Sequence, residues 1–263
     1  MKYKKYKNVF VILLFIIIMY FSYILCKSKE HFENKIPLNL FNTWETHELL
    51  PKMKENVEKL KERNPEFNYY LYDDNECREF IKNNFDESVV NAYDSLIPGA
   101  YRADLWRYCI LYIYGGVYLD IKFCTINDFK LINLTDKEYF VRDIEKSGHG
   151  IYQAFIVAMP GNKKLYNTIQ KIVENVKNKF YGHSCFSPTG PLLLIQEFTE
   201  EELNNFSPIG LCENECPTKT CICMNGKPIM AIYKEYYDEI HKYYSTKKIK
   251  RYYEYWDEKN MYK

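Results

Sequence analysis

The run RADLWRYCILYIYGGVYLDIKF, residues 102–123, constrains the fold more than any other stretch. Leu105, Tyr108, Cys109 and Tyr112 recur at helical spacing, and Gly115 and Gly116 then supply a left-handed stop. A strand is predicted over VYLDIKF, Val117–Phe123. A helix passed through two glycines into an apolar strand needs a sheet to pack on, the layering of an α/β domain. Its polar residues are out of place in such a core: Arg102 and Asp104 open the helix, and Asp120 and Lys122 interrupt the strand. Alternation puts Tyr118, Asp120 and Lys122 on one face, near the strand's carboxyl end, where open α/β sheets bind ligands. A carboxylate buried there needs a cation, a metal or hydrogen-bond donors to offset its desolvation. An internal ion pair of Asp120 with Lys122 or Arg102 would meet that need without a ligand.

The flanking segments extend the α/β pattern. IPLNLFNTW reads as an opening strand ending in Thr43 and Trp44. Leu50, Met53, Val57 and Leu60 mark a helix that Asn64 and Pro65 stop. FNYYLYDD is a second strand closing on Asp73 and Asp74, and NECREFIKNNF a second helix. The alternation predicts parallel strands with crossovers. Later, YQAFIVAMPGN reads as a strand with a turn at Pro160 and Gly161. LYNTIQKIVENVKNKF reads as an amphipathic helix with Leu165, Ile169, Ile172, Val173 and Val176 inward. In SPTGPLLLIQEF, Thr189 and Gly190 precede Pro191, a favoured first helical residue. Such a helix start suits an anion, or is simply a capped helix.

The 263 residues suffice for one sizeable domain, and a net charge of +1 argues against a nucleic-acid binder. The Tyr- and Lys-rich C-terminal stretch reads as amphipathic surface and core packing. The first 35 residues differ. Lys2, Lys4, Lys5 and Lys7 precede an uncharged apolar run from Val9 to Leu25. That run is at the short end for a spanning helix, and no small-residue cleavage site follows it. The basic flank predicts a cytosolic tail at 1–8, a signal-anchor at 9–25, a stem at 26–35 and a lumenal or exterior domain at 36–263. Asn133 and Asn205 are acceptor sequons consistent with that topology. Cys212, Cys216, Cys221 and Cys223 read as two disulfides of undetermined pairing, in preference to a zinc knuckle.

These residues carry a family resemblance. IPLNLFNTW, NPEFNYYLYDD, GAYRADLWRYCILYIYGGVYLDI, FIVAMPGN, SPTGP and RYYEYWDEKNMY follow in order over residues 36–263. The chain resembles the DXD-containing glycosyltransferases of family 32, the initiating α-1,6-mannosyltransferase and α-1,4-galactosyltransferase group. The resemblance implies a GT-A fold, a Rossmann-like domain that binds a UDP- or GDP-sugar, and type II membrane topology with a Golgi- or ER-like lumenal domain. It implies a hexosyltransferase that retains anomeric configuration and acts on a glycan, glycolipid or glycoprotein. By the same resemblance Thr43 and Trp44 border the nucleotide and Asp104 holds the ribose or donor sugar. Arg102 stands beside the diphosphate, Gly115 and Gly116 form the turn, Gln153 lies near the sugars, and Thr189 and Gly190 lie at the phosphate or acceptor side. Asp120 is the first DXD acid and a ligand of Mn²⁺ or Mg²⁺.

Lys122 departs from the pattern, because an ammonium stands where the second metal-binding acid belongs. Three arrangements fit the sequence. Lys122 turns outward while Asp120 and another acid, such as Asp128, hold the metal; or Lys122 itself neutralises the leaving diphosphate; or the chain binds nucleotide or glycan without catalysis. The expectation is an active enzyme with a weakened metal site. A glycoside hydrolase also uses paired carboxylates, but it has no need of diphosphate-binding features.

Overall fold

The computed structural model describes residues 19, 36–143, 150–204, 209–212, 216–218 and 220–263. Apart from Met19, the tail, anchor and stem lie outside the described residues, as does the sequon at Asn205. Among the described residues no helix is long and apolar enough to cross a membrane.

From Ile36 onward the chain forms one compact unit. Strand β1 (Asn39–Thr43) leads to helix α1 (Pro51–Arg63), which has Pro51 in its first turn and stops at Asn64. Strand β2 (Asn68–Tyr72) runs into helix α2 (Asp74–Asn84). There Asp73 and Glu76 form a reciprocal capping box that satisfies two free N–H groups. Helix α3 (Glu87–Ser95), which the periodicity did not reveal, precedes helix α4 (Gly99–Tyr114) and strand β3 (Gly116–Leu119). Strands β4 (Phe123–Thr125), β5 (Tyr139–Asp143) and β6 (Gly150–Ala158) follow, then helix α5 (Lys163–Lys177) and the one-turn helix α6 (Pro191–Leu194). Helix α7 (Glu200–Asn204), strands β7 (Ile209–Cys212), β8 (Cys221–Met224) and β9 (Lys227–Ile232), and helices α8 (Tyr236–Lys247) and α9 (Tyr252–Asp257) complete the chain.

The nine strands make one sheet in the order β2-β1-β3-β6-β5-β7-β8-β9-β4. The parallel strands expected from the alternation are β2, β1 and β3. Beyond them the sheet is mixed, because β3 pairs antiparallel with β6. Period-two alternation divides the core between the faces. Phe41, Tyr118 and Ile156 join Leu105, Trp106 and Ile169 on one side, while Leu40, Val117, Leu119 and Phe155 pack on the other.

The strand expected over Val117–Phe123 is two strands. Asp120 N still donates to Ala154 O at 2.7 Å, but Phe123 N turns back onto Asp120 O at 2.9 Å, which ends β3 and starts β4 elsewhere in the sheet. Buried Asn56 on α1 holds this turn, its amide donating to Ile121 O and Phe123 O at 3.0 Å each. The cysteine group forms the disulfides Cys212–Cys223 and Cys216–Cys221 across the β7–β8 hairpin.

Candidate functional site

A cavity of about 560 Å³ opens beyond the carboxyl ends of β1 and β3. Thr43 and Trp44 line it from β1 and its exit, Asp120 and Lys122 from the turn after β3, and Arg102 and Arg107 from α4. Five of the residues singled out in the sequence thus meet at one opening, for the reason α/β folds allow it: parallel strands discharge their loops on the same side.

Asp120 is the electrostatic centre. Lys122 Nζ donates to its Oδ2 at 2.6 Å, Tyr118 Oη donates to its Oδ1 at 2.8 Å, and Arg107 Nη1 lies 3.6 Å from Oδ1. Burial pushes the carboxyl's pKa up, but the charges of Lys122 and Arg107 and the hydrogen bonds from Lys122 and Tyr118 outweigh it and hold the value at about 2. Asp104 shows the opposite balance. Its Oδ2 accepts from the fully buried Thr189 hydroxyl at 2.8 Å, and Arg107 Nη2 is 3.4 Å from Oδ1. Burial dominates there and raises the pKa to about 6, against the pull of Arg107 and Thr189. Asp104 therefore sits one layer below the cavity wall.

Arg107 ties the two acids together. Its Nε donates to Ala103 O, its Nη1 donates to Gln153 O, and its Cζ lies 4.4 Å from the centre of the Tyr118 ring. Sequence reasoning passed over it. The available signal was a third charged residue, after Arg102 and Asp104, in an otherwise apolar helix.

Other expected residues have different places. Arg102 lines the cavity, but its guanidinium is committed to Asp74 Oδ2 at 2.5 Å and Ile97 O at 2.7 Å, so it braces the wall. The Thr43 hydroxyl donates to Tyr72 O at 2.9 Å. Gln153 is buried, with its side chain on Tyr108 and Ile151 O, and does not reach the cavity. Gly115 and Gly116 follow the far end of α4, whose 16 residues span roughly 24 Å. A Cβ on Gly115 would stand 2.5 Å from Pro160, and one on Gly116 2.6 Å from Asn39 O, so these glycines serve close packing. Thr189 and Gly190 do not start an anion-binding helix. Helix α6 has four residues, and its N–H groups are consumed by Phe186 O and Gly190 O. Asp128 is exposed beyond β4 and absent from the cavity wall.

The Tyr- and Lys-rich tail, expected as amphipathic surface and core packing, has a further place. It forms a wall of the cavity, with Tyr236, Tyr237 and Tyr244 from α8 and Arg251, Tyr252 and Tyr255 from α9 and its N-terminal flank. Glu239 fastens α8 by accepting from the free N–H groups of Lys52 and Met53 at the start of α1, 2.7 and 3.1 Å away. Tyr252 packs on Tyr101, and Trp256 Nε1 donates to Tyr181 O at 2.7 Å.

A divalent metal does not fit this donor set. Three carboxylates line the cavity, and each is engaged by protein donors: both oxygens of Asp120 accept from Tyr118 and Lys122, Asp74 Oδ2 accepts from Arg102, and Glu45 Oε2 accepts from the Tyr243 hydroxyl. A cation about 2.1 Å from Oδ2 would lie no farther than about 4.7 Å from Nζ. At an effective dielectric constant near 20 that repulsion is about 7 kcal/mol, which cancels nearly half of the attraction of about 16 kcal/mol that Asp120 would supply. Among the described residues a metal-compatible group occurs elsewhere, at exposed His47 and Glu76 with half-buried Asp73, where Asp73 and Glu76 are already spent on the α2 cap.

Residues 51–141, which carry α4, β3 and Asp120, match the family described as "Glycosyltransferase sugar-binding region containing DXD motif". Over this segment the chain is similar to DXD-containing glycosyltransferases, the group its sequence resembles. Inositol phosphoceramide mannosyltransferase 3 of Schizosaccharomyces pombe is 37% identical over 86 residues, 33% of this chain and 24% of that protein. The initiation-specific alpha-1,6-mannosyltransferase of Candida albicans is 30% identical over 91 residues, 32% of this chain and 24% of that protein. The matches thus span about a quarter of these relatives. Inositol phosphoceramide mannosyltransferase 1 of S. pombe aligns more widely, at 23% identity over 66% of this chain and 55% of its own. Among solved structures the PaToxG glycosyltransferase superposes with a TM-score of 0.51 at 15% identity, covering 65% of this chain and 72% of that one. The mixed α/β sheet and this superposition give the chain a fold of the GT-A type.

Proposed function

We propose that this chain is a membrane-anchored, retaining hexosyltransferase that moves a sugar from a UDP- or GDP-sugar to a glycan, glycolipid or glycoprotein. The carrying observation is Asp120 at the carboxyl end of β3, set between Lys122 and Arg107 on a cavity bordered by Thr43 and Trp44. The names of the fungal relatives make a mannosyl donor and an inositol phosphoceramide acceptor the first pair to test. In the reaction the C1–oxygen bond breaks with its electron pair going to the β-phosphate. The acceptor hydroxyl oxygen bonds to C1, and one proton passes to solvent. The nucleoside diphosphate gains negative charge as it leaves, so cations preorganised at the cavity lower the barrier. The aromatic wall from the tail offers ring faces to a sugar and excludes water.

The basic flank and apolar run at residues 9–25 support the anchor and a lumenal or exterior catalytic unit. A glycan on the exposed Asn133, detected as a glycosidase-sensitive mass shift, would support that orientation; an unmodified Asn133 together with a protease-accessible catalytic unit in sealed microsomes would oppose it. The activity is tested with the full-length chain in detergent, following nucleotide release from UDP- and GDP-sugars with lipid and glycan acceptors. One donor is expected to turn over, with Asp120→Asn abolishing release and NMR showing the donor's anomeric configuration in the product. Nucleotide binding without transfer from any donor would refute the enzymatic reading.

A further inference from the structure

The Asp120–Lys122 pair carries the charge of a metal-loaded acid pair. Two carboxylates and a divalent cation sum to zero, as do one carboxylate and one ammonium. The structure does not turn Lys122 outward. Its Nζ lies on Asp120 Oδ2, and the Phe123 and Tyr152 rings stand 5.7 and 5.9 Å away. The side chain is about one-fifth exposed and lines the cavity, while its carbonyl is pinned by Tyr233 N at 3.0 Å. A second cation shares the opening. Arg251 Cζ lies 4.2 Å from the Tyr244 ring centre, and none of the ion pairs found among the described residues engages it. Tyr236, on the same wall, is within electrostatic reach of both Lys122 and Arg251.

We propose that this chain holds the diphosphate of its donor with protein cations, Lys122 assisted by Arg251, in place of a divalent metal, an inference that rests on the donor reading above. Asp120 then acts as a positioning residue that keeps the ammonium at the cavity floor. When the C1–oxygen bond breaks, its electron pair goes to the β-phosphate oxygen, the acceptor oxygen takes C1 and its proton goes to solvent. The new negative charge develops beside Nζ, on a group that is already desolvated and aimed.

Calorimetric titration of the full-length chain with UDP and GDP, in EDTA and in Mn²⁺, tests this. One nucleoside diphosphate is expected to bind with the same Kd, within about two-fold, in both conditions. Lys122→Gln should weaken it about ten-fold or more while the matching nucleoside binds as before, and Arg251→Ala, at the rim, should weaken it several-fold. Lys122→Asp, which recreates the acid pair, should bind poorly in EDTA and recover with Mn²⁺. Wild-type binding that needs Mn²⁺, or unaltered binding by Lys122→Gln in EDTA, overturns the inference and leaves the donor reading standing. No binding of either nucleotide in either condition overturns the donor reading and this inference with it.

Discussion

Asp104→Asn should stabilise the protein while disabling it, and the size of the gain depends on pH. Asp104 is held in a buried layer where its pKa rises from 3.8 to about 6. A group whose folded-state pKa is raised favours folding below its unfolded pKa, and this advantage is lost as pH rises through the folded value. The native state thus binds the proton more tightly, and ionising Asp104 at pH 8 costs about 3 kcal/mol relative to the unfolded chain. At pH 5, where the native carboxyl is mostly protonated, the cost is roughly half of that. Asn mimics the neutral acid and can still bond to the Thr189 hydroxyl and Arg107. The difference in unfolding free energy between Asp104→Asn and wild type should therefore grow by about 1 kcal/mol from pH 5 to pH 8. Urea unfolding of both proteins across that range measures it, and other titrating groups cancel in the comparison. A difference that is constant with pH, or one that shrinks, would show that Asp104 titrates normally and would sink the reasoning.

Asp120 should act in the opposite direction. Its pKa is lowered to about 2, so the stability it contributes is present above pH 3.8 and lost as pH falls toward 2, which acid titration of Asp120→Asn against wild type will detect as about 2 kcal/mol. Gly115→Ala should cost at least about 2 kcal/mol in thermal or urea unfolding, since φ is +61° and Pro160 lies 2.5 Å from the new Cβ. It should leave nucleotide affinity unchanged, because that end of α4 is far from the cavity. Replacing Cys216 and Cys221 by Ser together should lower stability by about 2–3 kcal/mol, read as a lower Tm, with no change in nucleotide binding.

The elements and the outline of the site were legible from local pattern. Helical spacing at Leu105, Tyr108, Cys109 and Tyr112, the stop at Gly115, and the strand ending in Tyr72 each depend on a few adjacent residues. Asp120 and Lys122 were recognisable because charge inside an apolar strand is costly, so its presence signals a compensating partner. Gly115 and Gly116 misled because adjacency in sequence to Asp120 was taken for adjacency in space, whereas a strand carries the chain to the opposite end of the sheet. The Tyr- and Lys-rich tail was read as surface and core packing, and its place on the cavity wall was not legible, because aromatic residues with charged neighbours satisfy a packed surface and a ligand-facing wall equally well.

What the sequence by itself determined was the strands and helices around the site (β1, α1, β2, α2, α4 and β3), the α/β layering and the carboxyl-end position of Asp120, since periodicity, capping and desolvation act over short stretches. Tertiary structure decided which charges answer one another. Arg107 rather than Arg102 reaches Asp120, Thr189 serves Asp104, and α8 and α9 return from the end of the chain to close the cavity. Coulombic and hydrogen-bond energies depend on separations of a few ångströms between residues such as Asp104 and Thr189, 85 positions apart, or Lys52 and Glu239, 187 apart. Only the packed chain sets those separations.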